Sequence, residues 1–266
     1  MNPFLERNRL AWDERVARGQ FHTEMARECD FVEPLAAIDP LGWLGGSVHG
    51  RRVLCLAAGG GKHGVLLAAA GAHVTVVDLS PRMLELDRRA AAERGLNVRL
   101  VETSMEDLSM FSDASFDAVI QPVSTCYVPE VGPVYREIAR VTAAGGIYFS
   151  QHKQPASLQA EARASGQGYL IQEPYCRAGP LPVAPEGLLH REAGTVEFLH
   201  RWQDLLGGLC RAGFVIEDLL EPWHGQVNAT PGSFQHRSAF LPPFVTIKAR
   251  RNALGTIDTP KIWVPG

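Results

Sequence analysis

Residues 51–80, RRVLCLAAGGGKHGVLLAAAGAHVTVVDLS, decide how this chain folds. Residues 51–56 read as a short buried strand, 57–61 as a glycine-rich turn and 62–70 as a helix. Residues 72–77 then read as a second buried strand, ending at Asp78. A strand, a tight glycine turn, a helix and a parallel strand ending in a carboxylate form a nucleotide-handling βαβ unit. Glycines admit positive φ and let a ligand approach without meeting a Cβ. Free N–H groups at the helix amino terminus suit an anionic or polar part of a ligand. The acid ending the second strand can accept both hydroxyls of a ribose.

Outward from this unit the alternation continues. Ser80-Pro81 is a good cap and first-turn pair, leading a helix over 82–94 that Gly95 closes. Strands follow at 97–101 and 115–121, a helix at 129–143 and a fifth strand at 147–151. A helix at 201–211, a strand at 214–220, a loop at 225–237 and a last strand at 244–249 complete the pattern. Regular alternation of this kind makes a doubly wound, parallel α/β sheet with helices on both faces. Right-handed crossovers then gather the functional loops at one edge. Residues 1–45 read as a helical cap, with an amphipathic helix at 5–18, and 46–151 as the core. Residues 152–200, rich in proline, read as a substrate-covering insertion in which 168–175 and 194–200 pair as a hairpin. Residues 201–250 complete the sheet, and 251–266, with Trp263, form a tail.

The composition narrows the partners. Among 266 residues, 45% are hydrophobic and the formal net charge is -3, which favours neither nucleic acid nor an anionic membrane. No run is apolar enough to span a bilayer, and the amino terminus is too polar for a signal peptide. Five cysteines without a CxxC pair point to reduced thiols and a cytoplasmic setting. HxH and HExxH are absent, so no metal is expected. A monomer or homodimer is expected.

Gly59, Gly61 and Gly64 satisfy GxGxxG, so a nicotinamide cofactor must be weighed. The chain has no second glycine-rich half for the other mononucleotide, and no Tyr-x-x-x-Lys pair. The ordered motifs instead resemble a class I S-adenosylmethionine-dependent methyltransferase of the small-molecule group called methyltransferase type 11. They are VLCLAAGGG (53–61), VVDLS around Asp78, SMEDLSMFSDASFDAV (104–119), YREIARVTAAGGIYFS (135–150), LLGGLCRAGFVIEDLLEP (205–222) and LPPFVTIKAR (241–250). The resemblance implies a seven-stranded Rossmann-like sheet whose last strand is antiparallel, and S-adenosyl-L-methionine as cofactor. It departs from the family at Cys55, where an acid is usual, at Ala57 and Ala58 in the turn, and at Ser104, where a loop acid is common.

By the same resemblance, Ala57, Ala58, Gly59 and Gly61 pack on the methionine portion, and Asp78 holds the ribose with Leu79 against adenine. Met105 and Glu106 approach the adenine edge, and Gln121 faces the sulfonium or amino group. Methyl transfer to a small-molecule acceptor needs alignment, exclusion of water and, for a neutral oxygen or nitrogen, a general base. His152, just after strand five, and His200 are the candidate bases. Trp12, Phe21, His22, Tyr127, Tyr169, Tyr175, Trp202, Trp223 and His236 are candidate pocket residues, aromatic surface suited to a flat or cationic acceptor. Cys126 reads as a small hydrophobe. A cofactor-binding module without catalysis is the alternative on the same scaffold.

Overall fold

The computed structural model describes residues 2–161, 164 and 168–252; the expected tail residues 253–266, Trp263 included, lie outside these. The elements run α1 (Pro3–Arg18), α2 (Pro34–Ile38), β1 (Arg52–Leu56), α3 (His63–Ala69), β2 (His73–Asp78), α4 (Pro81–Glu93) and β3 (Val98–Glu102). They continue as β4 (Phe116–Gln121), α5 (Val131–Val141), β5 (Thr142–Lys153), α6 (Pro155–Gln159), α7 (Trp202–Arg211), β6 (Phe214–Leu220), α8 (Phe234–Phe240) and β7 (Phe244–Arg251).

The strands form one seven-stranded sheet in the order β3-β2-β1-β4-β5-β7-β6. All pairings among β1 to β5 are parallel, while β7 runs antiparallel to both β5 and β6. This is the sheet expected from the sequence. Successive side chains of a strand point to opposite faces, and β1 shows why both faces are covered. Leu54 and Leu56 enter one apolar cluster with Val119, Tyr135, Ile138 and Leu209. Val53 and Cys55 enter another with Leu66, Leu67, Val76 and Leu84. The edge strand β6 is mostly exposed but carries Glu217, paired with Lys248 and Arg250 on β7. Charge on an exposed edge discourages pairing with another chain.

Three local expectations are corrected. First, β5 continues past Gln151, because β7 pairs with it as far as Lys153 opposite Phe244. His152 is therefore a buried strand residue, not a loop residue. Second, 168–175 and 194–200 form no hairpin. Ile171 bridges Ala160 instead, whereas the Phe198 N–H donates to the Cys126 carbonyl and the Phe198 ring packs edge-on against Phe4 at 5.3 Å. Third, the expected loop at 225–237 ends in helix α8, whose amino end is capped by the Ser233 hydroxyl accepting from the His236 N–H. The helix is held by the buried Arg237 guanidinium, which donates to the Ser157 and Ala160 carbonyls.

Gly64 marks where α3 meets the sheet. A Cβ there would fall 2.4 Å from Val76 Cγ2, so the glycine serves helix–strand packing rather than ligand contact. Gly64→Ala is expected to lower stability by about 1–3 kcal/mol through overpacking, read as an earlier midpoint in urea unfolding.

Candidate active site

The carboxyl ends of β1, β2 and β4 open onto a cavity of about 480 Å³ lined by Ala57, Ala58, Gly59, Gly60, Asp78, Leu79, Met105 and Pro122. The cap closes it from above through Leu5, Asn8, Trp12, His22 and Met25. Tyr127, Gln151, Glu192, His224 and Phe244 complete the far wall.

The glycine turn is held by two acids. Asp78 Oδ2 accepts from the Gly59 N–H and Oδ1 from the Ser80 N–H, each at 2.9 Å. Asp87 Oδ2, reaching in from α4, accepts from the Gly60 N–H at 2.8 Å. Burial pushes Asp78 up to about 6 and Asp87 up to about 7, against the backbone N–H groups that favour their ionised forms. Any Cβ at Gly59 would meet Met83 Cβ at 2.8 Å and Asp78 Oδ2 at 3.0 Å. Ala57 sits at φ 48°, where a side chain is disfavoured. An alanine in a glycine's place thus keeps the turn at the cost of local strain.

This cradle fits S-adenosylmethionine. Asp78 uses two of a carboxylate's roughly four acceptor sites on the protein, leaving capacity for ribose hydroxyls, and Leu79 and Met105 offer apolar surface beside it. Gly61 lies just outside the cavity: its position is covered by Met25 Cγ and the Leu86 carbonyl, which a Cβ would meet at 2.9 and 2.8 Å. Its carbonyl accepts from the Ala26 N–H and so pins the cap to the turn. Gln121 is fully buried behind Pro122, taking a hydrogen bond from the Tyr148 hydroxyl on Oε1 and donating to Ser124 Oγ. Glu106 is half-buried, raised by burial, and is not among the lining residues.

The two candidate bases do not reach the cavity. His152 is buried with both ring nitrogens engaged, Nδ1 with Thr125 Oγ1 and Nε2 with Ser150 Oγ, each at 2.8 Å. Burial, with His200 nearby, pushes it down to about 3, so it is neutral at ordinary pH. The alternation of β5 sends Gln151 to the cavity and His152 to the other face. His200 Nε2 lies 2.9 and 3.0 Å from the Thr125 and Val128 carbonyls, and its ring borders a separate hollow together with Tyr175.

Of the candidate pocket residues, Trp12, His22 and Tyr127 line the cavity, the first and third in edge contact at 6.0 Å. Phe21 and Trp223 are 64% and 70% exposed outside it. Tyr169 and His236 bond each other, Tyr169 hydroxyl to Nδ1 at 2.8 Å. Trp202 packs against the core, its backbone N–H donating to the Tyr175 hydroxyl. Sequence reasoning missed Asn8, whose buried amide bonds the Tyr127 and Val196 backbones, and it missed Glu192. Nothing local in the sequence singles out either residue. Among the described residues, no group of His, Cys, Asp and Glu has the arrangement to hold a metal ion, and no helix is long and apolar enough to cross a membrane.

Comparison with known proteins now decides the family. A family model described as a methyltransferase domain matches residues 54–150. The uncharacterized methyltransferase YbaJ of Bacillus subtilis is 35% identical over 241 residues, covering 85% of this chain and 94% of that one. The chain belongs to the class I S-adenosylmethionine-dependent methyltransferases. An S-adenosylmethionine-dependent methyltransferase from Mesorhizobium loti superposes with a TM-score of 0.62 at 25% identity, over 77% of this chain and 93% of that chain. A ubiquinone biosynthesis O-methyltransferase of Bordetella pertussis is 35% identical over 124 residues, 44% of this chain and 52% of that protein. The protein is thus a methyltransferase enzyme that uses S-adenosyl-L-methionine.

Asp78→Ala is expected to weaken S-adenosylhomocysteine binding at least about tenfold, since hydrogen bonds to a charged group contribute roughly 1.5–3 kcal/mol. The same calorimetry should show wild-type affinity falling as pH drops through about 6. A proton taken up by Asp78 removes the acceptor that ribose hydroxyls need, so the ionised form binds tighter and affinity recovers towards neutral pH. Unchanged affinity in either experiment removes the ribose assignment.

Proposed function

We propose that the cavity holds S-adenosylmethionine at the glycine turn and a largely apolar acceptor at the cap, and that the methyl passes in line between them. One observation carries this reading. A single cavity is bounded on one side by Gly59 and Asp78 and on the other by the Trp12–Tyr127 aromatic wall.

When bound, the cofactor supplies a methyl carbon activated on a sulfonium, which a correctly aligned nucleophile displaces with little covalent help. The chain's own residues do the rest. Asp78 would accept the ribose hydroxyls, and Leu79 and Met105 would offer the base apolar surface, while Glu106 lies outside the lining. Ala57, Ala58 and Gly59 present backbone to the methionine portion, and Lys62, exposed at the rim, faces its carboxylate. Gln121 acts indirectly, its side chain fixing Ser124 and Met105 behind the reacting centre. The cap excludes water, held down by the Ser80 hydroxyl donating to Asp13 on α1 at 2.6 Å. Both His152 and His200 are occupied within the protein and take no part.

Similarity to the Bordetella pertussis O-methyltransferase supports an oxygen nucleophile. A neutral alcohol or phenol would give up its proton to solvent or to His22, which lines the cavity. The test is a screen for S-adenosylhomocysteine release over a metabolite library. Turnover with an apolar hydroxyl compound is expected, and binding of the demethylated cofactor without turnover on any acceptor would favour a non-catalytic module. On an acceptor so found, Trp12→Ala should raise KM about tenfold, matching roughly 1.5 kcal/mol of lost aromatic burial, while S-adenosylhomocysteine affinity stays as it was.

A further inference from the structure

Residues 190–197 fold back onto the end of β5 and set charged groups behind the acceptor wall. The Lys153 ammonium, fully enclosed, pairs with both Glu192 and Glu197, and the Arg191 guanidinium covers the second Glu197 oxygen. Two carboxylates are thus matched by two cations. The Tyr127 hydroxyl donates to Glu192 Oε2 at 2.8 Å, the same oxygen that Lys153 holds.

Glu192 is unlike its neighbours in one respect. Its side chain is 8% exposed, yet the residue lines the cavity. Both hydrogen bonds described for its carboxylate end on Oε2, so Oε1 is the oxygen left to face the cavity. A carboxylate carries about four acceptor sites, and among the described residues no hydrogen bond ends on Oε1, which is not sealed off inside the protein either. Its acceptor sites are open to whatever fills the cavity.

We infer that Glu192 Oε1 anchors the methyl acceptor by receiving a hydrogen bond from a neutral donor, a hydroxyl or amide N–H, carried on an apolar or aromatic body. The inference rests on the cavity being the methyl-transfer site. Neutrality follows from charge balance: Lys153 and Arg191 already compensate Glu192 and Glu197, and an added buried cation would be uncompensated. The apolar body follows from Leu5, Trp12, Val123, Tyr127 and Phe244, which line the cavity alongside the polar Asn8, Gln151 and His224. Glu192 is an anchor and not the base. Burial pushes its carboxyl up, but Lys153 and the Tyr127 hydroxyl outweigh this and hold it below the ordinary carboxylate range, which makes it a weak base. His22 on the opposite wall favours the ionised form further.

The test uses beta-naphthol and its methyl ether, alike in body but different in the one donor. Each is titrated calorimetrically into full-length protein saturated with S-adenosylhomocysteine. Wild type should bind the naphthol at least about tenfold tighter than the ether, as a charge-assisted hydrogen bond requires. In Glu192→Gln, Lys153 and Tyr127 are both donors and retain the amide oxygen, which turns the NH2 group to the cavity. The ratio should then fall to about one or invert. Tyr127→Phe keeps Oε1 and should keep the preference for naphthol. Equal affinity for the two probes in wild type, failure of both to bind, or an unchanged ratio in Glu192→Gln overturns the proposal. Binding of S-adenosylhomocysteine, measured first, reports separately. Its absence in wild type removes the cofactor site, and its retention in each variant shows that the variant has folded. Should Glu192→Gln fail to fold, the two-probe comparison in wild type still decides.

Discussion

The contact on which this structure turns is the hydrogen bond from the Gly59 N–H to the Asp78 carboxylate. It joins the bend after β1 to the end of β2, the two chain segments that any nucleotide lying across this edge must touch. A third segment joins them, because Asp87 from α4 takes the neighbouring Gly60 N–H. Three elements therefore shape the turn before a ligand arrives, and preorganisation of this kind spares binding the cost of ordering a loop. The arrangement has an electrostatic penalty, since two acids with pKa values raised by burial sit close to each other. Backbone N–H groups, and not a salt bridge, are what stabilise their ionised forms.

On the acceptor side the controlling feature is the way α1 is fastened. Asn8 grips the backbones of Tyr127 and Val196, and Asp13 grips Ser80 at the start of α4. The cap is thus tied at one end to the Tyr127 wall of the cavity and at the other to the start of α4. The same helix also carries Trp12, so one element supplies both the cap and part of the aromatic wall. Behind the Tyr127 side of the cavity, Lys153, Arg191 and the two glutamates neutralise one another.

The fold was legible in the sequence because its signal is local. Each strand of β1 to β4 is a short apolar run ending in a glycine, proline or polar turn, and the alternation with helices leaves one economical sheet. The positions of Asp78, Leu79 and Met105 in the cavity wall were legible because they sit at or just after strand ends, and the carboxyl edge is where ligands of such sheets lie. His152 was misjudged through a single non-local fact. Pairing with β7 extends β5 by two residues and rotates the histidine away from the cavity. The aromatic residues after position 160 were misjudged similarly, since Tyr169, Tyr175 and Trp202 spend their polar atoms on one another's neighbours.

The sequence by itself determined the βαβ unit, the order of the elements and the place of Asp78 at the end of β2. Those depend on hydrophobic periodicity, on glycine in the turn and on residues close together in the chain. Only the tertiary structure brought Glu192 to the cavity. Glu192 lies far along the chain from Tyr127 and Lys153, and neither its spacing nor its surroundings in sequence mark it. Its role arises when a long excursion returns to the sheet, where burial forces each charge to find a partner and leaves one oxygen turned towards the cavity.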